Sequence, residues 1–168
     1  MDDKEHKMAR VLVGYGTKMG GTTAIAERIG EVLREQGHDA TVVEAGKARL
    51  TGDYDAAVIG SALYAGMWRG PAKRLVKTLA RKRPEMPLWL FHSGPLGEEQ
   101  EEKWQAFPKW LRELEGSLDV RGKATFGGVL DHNAKGFIAT KMFQDGRGGD
   151  FRDMEQIAAW AAGIAAAL

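Results

Sequence analysis

Residues 14–26, GYGTKMGGTTAIA, have the composition of a phosphate loop. Four glycines and three threonines fall within ten residues, between an apolar run (ARVLV, 9–13) and a helical pattern (AIAERIGEVL, 24–33). Glycines let backbone N–H groups approach an anion closely. A helix starting just after them directs its positive end at the same point.

Three loop types share this look. A Walker A loop requires G-x-x-x-x-G-K-[ST]. Gly16 and Gly21 keep the spacing, but Thr22 stands where the lysine must reach the phosphates. No acidic strand end offers itself for magnesium. The strict dinucleotide pattern G-x-G-x-x-G fails at Met19. A looser Gly14, Gly16, Gly20 spacing survives, with Glu44 placed to bind a ribose hydroxyl. The short chain and the lack of a Tyr-x-x-x-Lys pair weigh against that reading. The third type, Thr-x-x-Gly-x-Thr, is met by Thr17-Lys18-Met19-Gly20-Gly21-Thr22. Two hydroxyls bracket converging N–H groups, which can hold a phosphate monoester without a metal.

The elements that must carry such a loop alternate along the chain. Strands are expected at 9–15, 40–45, 55–63, 87–94 and 124–130. The first helix carries Ile25, Ile29, Val32 and Leu33 at helical spacing and stops at Gly37. A second opens at Gly70-Pro71, with Leu75, Val76 and Leu79 facing inward. Trp104, Phe107, Leu111, Leu114 and Leu118 share a helical face, with a kink or break expected at Pro108. The last helix begins near Asp153, with Gln156 completing a capping box. This is an α/β pattern: a doubly wound parallel sheet with helices on both faces. Ligands bind such sheets at the carboxyl ends of the strands. The candidate loops are then GTKMGGTT, SALYAGMW, HSGPLGEE and DHNAKG, and the connection from Asp131 to Gly149 is long enough to be functional or mobile.

The first loop and its flanks, VLVGYGTKMGGTTAIAERIGEVLREQGH, resemble the FMN phosphate loop of the flavodoxin family. YDAAVIGSALYAGMWRG looks like that family's second flavin loop, and PLWLFHSGPLG like its third. The terminal GGDFRDMEQIAAWAAGIAAAL is similar to flavodoxin-domain proteins related to menaquinone-dependent protoporphyrinogen oxidase. The resemblance runs collinearly from Ala9 to Leu168. It implies a single flavodoxin-like domain over 1–168, with 1–8 as a flexible tail, five parallel strands in the order 2-1-3-4-5, and FMN as cofactor. It further implies that Thr17, Lys18, Met19, Gly20, Gly21 and Thr22 wrap the FMN phosphate. Ser61, Ala62, Leu63, Tyr64, Ala65 and Gly66 would run along one side of the isoalloxazine ring. Ser93, Gly94, Pro95, Leu96 and Gly97 would line the opposite side and the pyrimidine end. Met19 stands where a hydroxyl residue is usual and Gly21 where asparagine is usual, so one phosphate hydrogen bond is lost.

Several other residues are of types that carry chemistry. Tyr64 reads equally as a flavin-stacking ring and as a packing residue, whereas Trp68 reads more as packing. His92 reads as a histidine hydrogen-bonded within or beside the sheet, and His132 as solvent-exposed. Trp89, Trp104, Trp110 and Trp160 read as core. No carboxylate pair, Ser-His-Asp arrangement or metal-ligand spacing is present, which suits a protein whose cofactor carries the chemistry. Tyr15 and Gly16 stand where a receiver domain needs its acidic cluster.

Bulk properties set the remaining bounds. The chain has 168 residues, 43% hydrophobic and 28% charged, enough for one domain with a real core. It has no cysteine, which excludes disulfides and thiolate chemistry. A net charge of +1 is no footprint for nucleic acid. Residues 67–83 are strongly basic and 97–104 acidic, and both read as solvated helix faces. No signal peptide is visible and apolar runs are only of strand length, so a cytoplasmic location without a membrane span is expected, peripheral membrane contact aside. The function expected from the resemblance is an FMN-dependent oxidoreductase, protoporphyrinogen-oxidase-like. It would take hydrogens from a small substrate, with carboxylates met by Arg69, Lys73 and Arg74, and pass electrons to a quinone or other redox partner. The alternative is a soluble one-electron carrier.

Overall fold

Val11, Leu12 and Val13 are each fully buried although their side chains point to alternate faces, so the first strand is covered on both sides. In the computed structural model, which describes residues 7–18, 20–64, 66–94, 107–127, 129–130, 149–150 and 152–168, that strand is β1 (Arg10–Gly16). It is followed by α1 (Gly21–Glu35), β2 (Asp39–Glu44), β3 (Ala56–Tyr64), the short β4 (Met67–Trp68), α2 (Gly70–Lys82) and β5 (Pro87–Gly94). Then come α3 (Lys109–Leu114), β6 (Asp119–Gly127), β7 (Val129–Leu130), β8 (Gly149–Asp150) and α4 (Met154–Ala167).

The five main strands are parallel and ordered β2-β1-β3-β5-β6, the expected doubly wound order. On one face α1 and α4 bury Ile25, Ile29, Leu33, Ile157 and Ile164 against Val11, Val13 and Phe91. On the other, α2 and α3 bury Leu75, Val76, Leu79 and Leu111 against Leu12, Ile59 and Leu90. Each fully buried aliphatic side chain contributes about 1.5–3 kcal/mol to folding. His38 ties the ends of the first layer together. Its Nδ1 accepts the Ala9 N–H at 3.0 Å, which leaves the ring hydrogen on Nε2 to be donated to the Ala165 carbonyl at 3.1 Å.

Helix boundaries follow local chemistry. α1 is closed off by Gly37, two residues past its end, where φ is 91° and the N–H groups of Gly37 and His38 return to the carbonyls of Arg34 and Leu33. α2 has Pro71 in its first turn, as expected. Asp153 caps α4, its Oδ1 accepting the N–H groups of Glu155 and Gln156 at 3.0 and 3.1 Å.

Two features differ from the expectation. The fifth main strand begins at Asp119 and ends at Gly127, not over 124–130. As an edge strand it alternates exposed Arg121 and Lys123 with covered residues, so its first half does not read as an apolar run. Val129–Leu130 pair with Gly149–Asp150 in a separate antiparallel ribbon. At Pro108 the helical pattern breaks as expected: the chain is extended there, with ψ 149°, and α3 starts at Lys109. The β4 strand, which turns back antiparallel on β3, was not expected. Trp104, His132 and the connection 131–148 lie outside the described residues.

Gly60 on β3 lies beside Phe91 on β5 in register, and a Cβ at position 60 would enter the Phe91 ring. Gly60→Ala is therefore expected to lower the unfolding free energy by about 1–3 kcal/mol. Gly52→Ala, placed in open space, is expected to change it by less than about 0.5 kcal/mol. Urea denaturation of both variants measures the contrast.

Candidate functional site

Because the strands are parallel, β1, β3, β5 and β6 all end at one edge, and the chain leaves β1 for α1 where the strand order reverses. Gly16 of β1 is in register with Ser61 of β3, and Ala62 of β3 with Ser93 of β5. Three of the expected loops therefore emerge side by side.

The first is a tight turn. Thr17 Oγ1 accepts the Gly20 N–H at 2.9 Å, which closes the loop on itself. Gly20 has φ 86°, a left-handed conformation that costs an ordinary residue about 1–2 kcal/mol. Being the N-cap of α1, it brings no side chain to the helix end, and the first turn holds no acidic residue. Among the described residues no side chain accepts the leading N–H groups of α1; that of Thr23 turns back to the Gly20 carbonyl at 3.2 Å, which leaves those of Gly21 and Thr22. Lys18 is exposed in this turn. Arg152 approaches from the segment before α4, with Nη1 3.5 Å from the Gly21 carbonyl. Met19 lies outside the described residues.

Thr22 is buried, and its Oγ1 lies 3.1 Å from Ser93 Oγ, also buried. This hydroxyl pair joins the first turn of α1 to the end of β5, and so the first loop to the third. Gly94, also buried, ends β5; Pro95, Leu96 and Gly97 lie outside the described residues.

The second loop is a hairpin. Tyr64 pairs with Met67, Leu63 with Trp68, and Gly66 turns with φ 77°. Ser61 is fully buried and its hydroxyl is already committed. It donates to the Ala62 carbonyl at 2.8 Å and accepts the Arg69 N–H at 2.8 Å, fastening both ends of the hairpin. Ala62 is half-buried and Leu63 belongs to the core under α2. Met67 is 65% exposed beside the site, an apolar side chain that the sequence reading did not single out. Ala65 lies outside the described residues.

Trp68 and His92 are structural. His92 is fully buried, its Nδ1 receiving the Trp68 Nε1–H at 3.3 Å. Since an indole only donates, the ring hydrogen sits on Nε2 and is donated to Thr125 Oγ1 at 3.0 Å. Phe107 stacks on the imidazole at 4.0 Å between centroids. The sequence reading placed Phe107 on a helix face; no local signal links it to His92, because the contact is made across the fold. Trp89 is buried, whereas Trp110 and Trp160 are half-buried at the rims of the two cores. On the edge strand, Asp119 hydrogen-bonds Arg121 at 3.0 Å and raises its pKa, which keeps that guanidinium charged.

Among the described residues, no group of three His, Asp or Glu side chains is placed to hold a metal. Among the same residues, no helix is long and apolar enough to cross a membrane. The site is a side-chain-free helix start with a hairpin and a strand end beside it.

A family model described as Flavodoxin domain matches residues 12–146. No curated protein sequence matches the chain. Among solved structures the chain is similar to a flavodoxin from the domain Archaea, at 17% identity and TM-score 0.63, over 94% of this chain and 97% of that one. It is also similar to oxidised Flavodoxin 1 from Bacillus cereus, at 13% identity and TM-score 0.64, over 95% and 99%. The two-electron reduced flavodoxin of Megasphaera elsdenii aligns at 18% identity and TM-score 0.58, over 91% and 98%. At such identities these structures speak for the fold. The family match spans most of the chain, and the conclusion is plain: this chain belongs to the flavodoxin-domain family, and FMN is the cofactor that membership implies.

Proposed function

We propose that the chain holds FMN with its phosphate at the start of α1 and uses it to move electrons from a small substrate to a quinone or another acceptor, in the manner of the protoporphyrinogen-oxidase-like branch. The observation that carries this reading is the open N-terminus of α1. Its N-cap has no side chain, its first turn has no acid, and a Cβ at Gly20 would meet nothing within 4 Å. A phosphate monoester fits that chemistry, since dipole and free N–H groups both favour an anion.

The hydroxyls are set for the same task. Thr17 Oγ1 already accepts from Gly20, so its own proton is left to donate outward. Thr22 can accept from Ser93 and donate its proton to a phosphate oxygen, so the third loop orients the first. Ser61 fixes the hairpin that would flank the ring. Bound FMN supplies hydride and electron transfer, while the chain supplies binding and orientation.

The preference for substrate chemistry rests on charge. α2 carries Lys73, Arg74, Lys77, Arg81 and Lys82 and no acidic residue, and it begins directly after the hairpin. A positive flank there attracts a carboxylate-bearing substrate. The second reading, an electron carrier with no substrate of its own, is favoured by the flavodoxin neighbours, which align with this chain almost end to end.

Purified protein is expected to show a flavin absorption spectrum and to release FMN on heating, identified by mass. A colourless protein that ignores added FMN contradicts the proposal. Potentiometric titration is expected to give one two-electron step. Two well-separated one-electron steps, the second very low, would select the carrier. Failure to oxidise protoporphyrinogen with any quinone would remove that substrate. For the tie between loops, Thr22→Val and Ser93→Ala in a double-mutant cycle are expected to show a coupling of about 1 kcal/mol in unfolding free energy.

A further inference from the structure

Arg69 sits between β4 and α2, and two contacts fix its root at the mouth of the cradle. Its N–H is held by Ser61 Oγ at 2.8 Å, and Ser61 is the register partner of Gly16. Its stem lies on Gly16 itself: a Cβ at Gly16 would be 2.9 Å from Arg69 Cβ and 3.4 Å from its Cγ. Gly16 immediately precedes Thr17, so the absence of a side chain at Gly16 is what lets the arginine lie against the base of the loop.

Three nearby cations have partners, and among the described residues the Arg69 side chain has none. Arg152 reaches the Gly21 carbonyl, Lys73 lies 5.3 Å from the Trp110 ring centroid, and Lys47 pairs with Glu44 at 3.7 Å. The half-buried Arg69 side chain makes no hydrogen bond or ion pair with any described residue. No carboxylate lies between Gly14 and Ala26, and none lies in the first turn of α1 or α2. Among the described residues, an anion in the cradle therefore meets positive charge from this side without a carboxylate in the loop or in either first turn to compete for it.

We infer that Arg69 is the charge partner of the cofactor phosphate, folding from its anchor on Gly16 over the Thr17–Thr22 turn and setting a preference for FMN over riboflavin. The inference rests on the reading that FMN occupies the cradle. A phosphate monoester carries close to two negative charges, and helix N–H groups and hydroxyls alone leave much of that uncompensated. A guanidinium supplies a full charge and a two-pronged set of donors. It also replaces, from outside the loop, the hydroxyl contact that Met19 does not provide.

The test compares FMN and riboflavin binding to the full chain freed of cofactor, by flavin fluorescence at low and high salt. Arg69→Met keeps the stem on Gly16 and removes the charge; Arg69→Lys keeps the charge and removes the fork. Arg69→Met is expected to weaken FMN by about tenfold or more, to leave riboflavin within about twofold, and to flatten the salt dependence of FMN binding. Arg69→Lys is expected to fall between it and the wild type. Equal losses for both flavins would assign Arg69 to packing alone and overturn the inference, as would unchanged FMN binding. A wild-type chain that binds neither flavin overturns the FMN reading, and the role of Arg69 with it.

Discussion

The first backbone N–H groups of any α-helix lack an acceptor within the helix. In this chain α1 presents them at the carboxyl edge of a parallel sheet, where the order of strands reverses, with no side chain capping them. Such groups must be met by water or by an anion, and the rest of the site is arranged around that demand. Gly20 makes the turn possible, Thr17 closes it, and the absence of acids in the first turn keeps the potential positive.

Holding the helix end in place is the work of the layers beneath. α1 is pressed on the sheet by Ile25, Ile29 and Leu33 and braced by α4, whose carboxyl end is tied through His38 to the start of β1. The Thr22–Ser93 hydroxyl pair links the first turn of α1 to β5. Ser61 binds the hairpin after β3 to the first residue before α2. Trp68, His92, Thr125 and Phe107 form a packed and hydrogen-bonded wall under that hairpin. The cradle is thus set on rigid elements, which suits a group that must be bound in one orientation.

What the sequence revealed was local. The Pro71 and Asp153 helix starts and the buried strands β1, β3 and β5 depend on residues close in the chain, and the structure bears them out. What stayed hidden depends on distant partners. The first half of β6 has one side in solvent, so Arg121 and Lys123 break its apolar run. Phe107 has helical spacing with Leu111, yet it stacks on His92 ahead of the helix. The commitment of the Ser61 hydroxyl to Arg69, and of His38 to Ala9 and Ala165, follows from the packing of whole layers. Met19, Ala65 and Pro95–Gly97, read as cofactor contacts, lie outside the described residues.

The central claim is that the uncapped start of α1 receives the FMN phosphate. Amide chemical shifts of ¹⁵N-labelled protein during titration with FMN test it most directly. The account predicts that the amide protons of Gly21 and Thr22, the two at the start of α1 with no acceptor among the described residues, move downfield together and saturate at one equivalent. Binding that leaves those two amides unmoved, with shifts confined to another part of the fold such as β6, would contradict it.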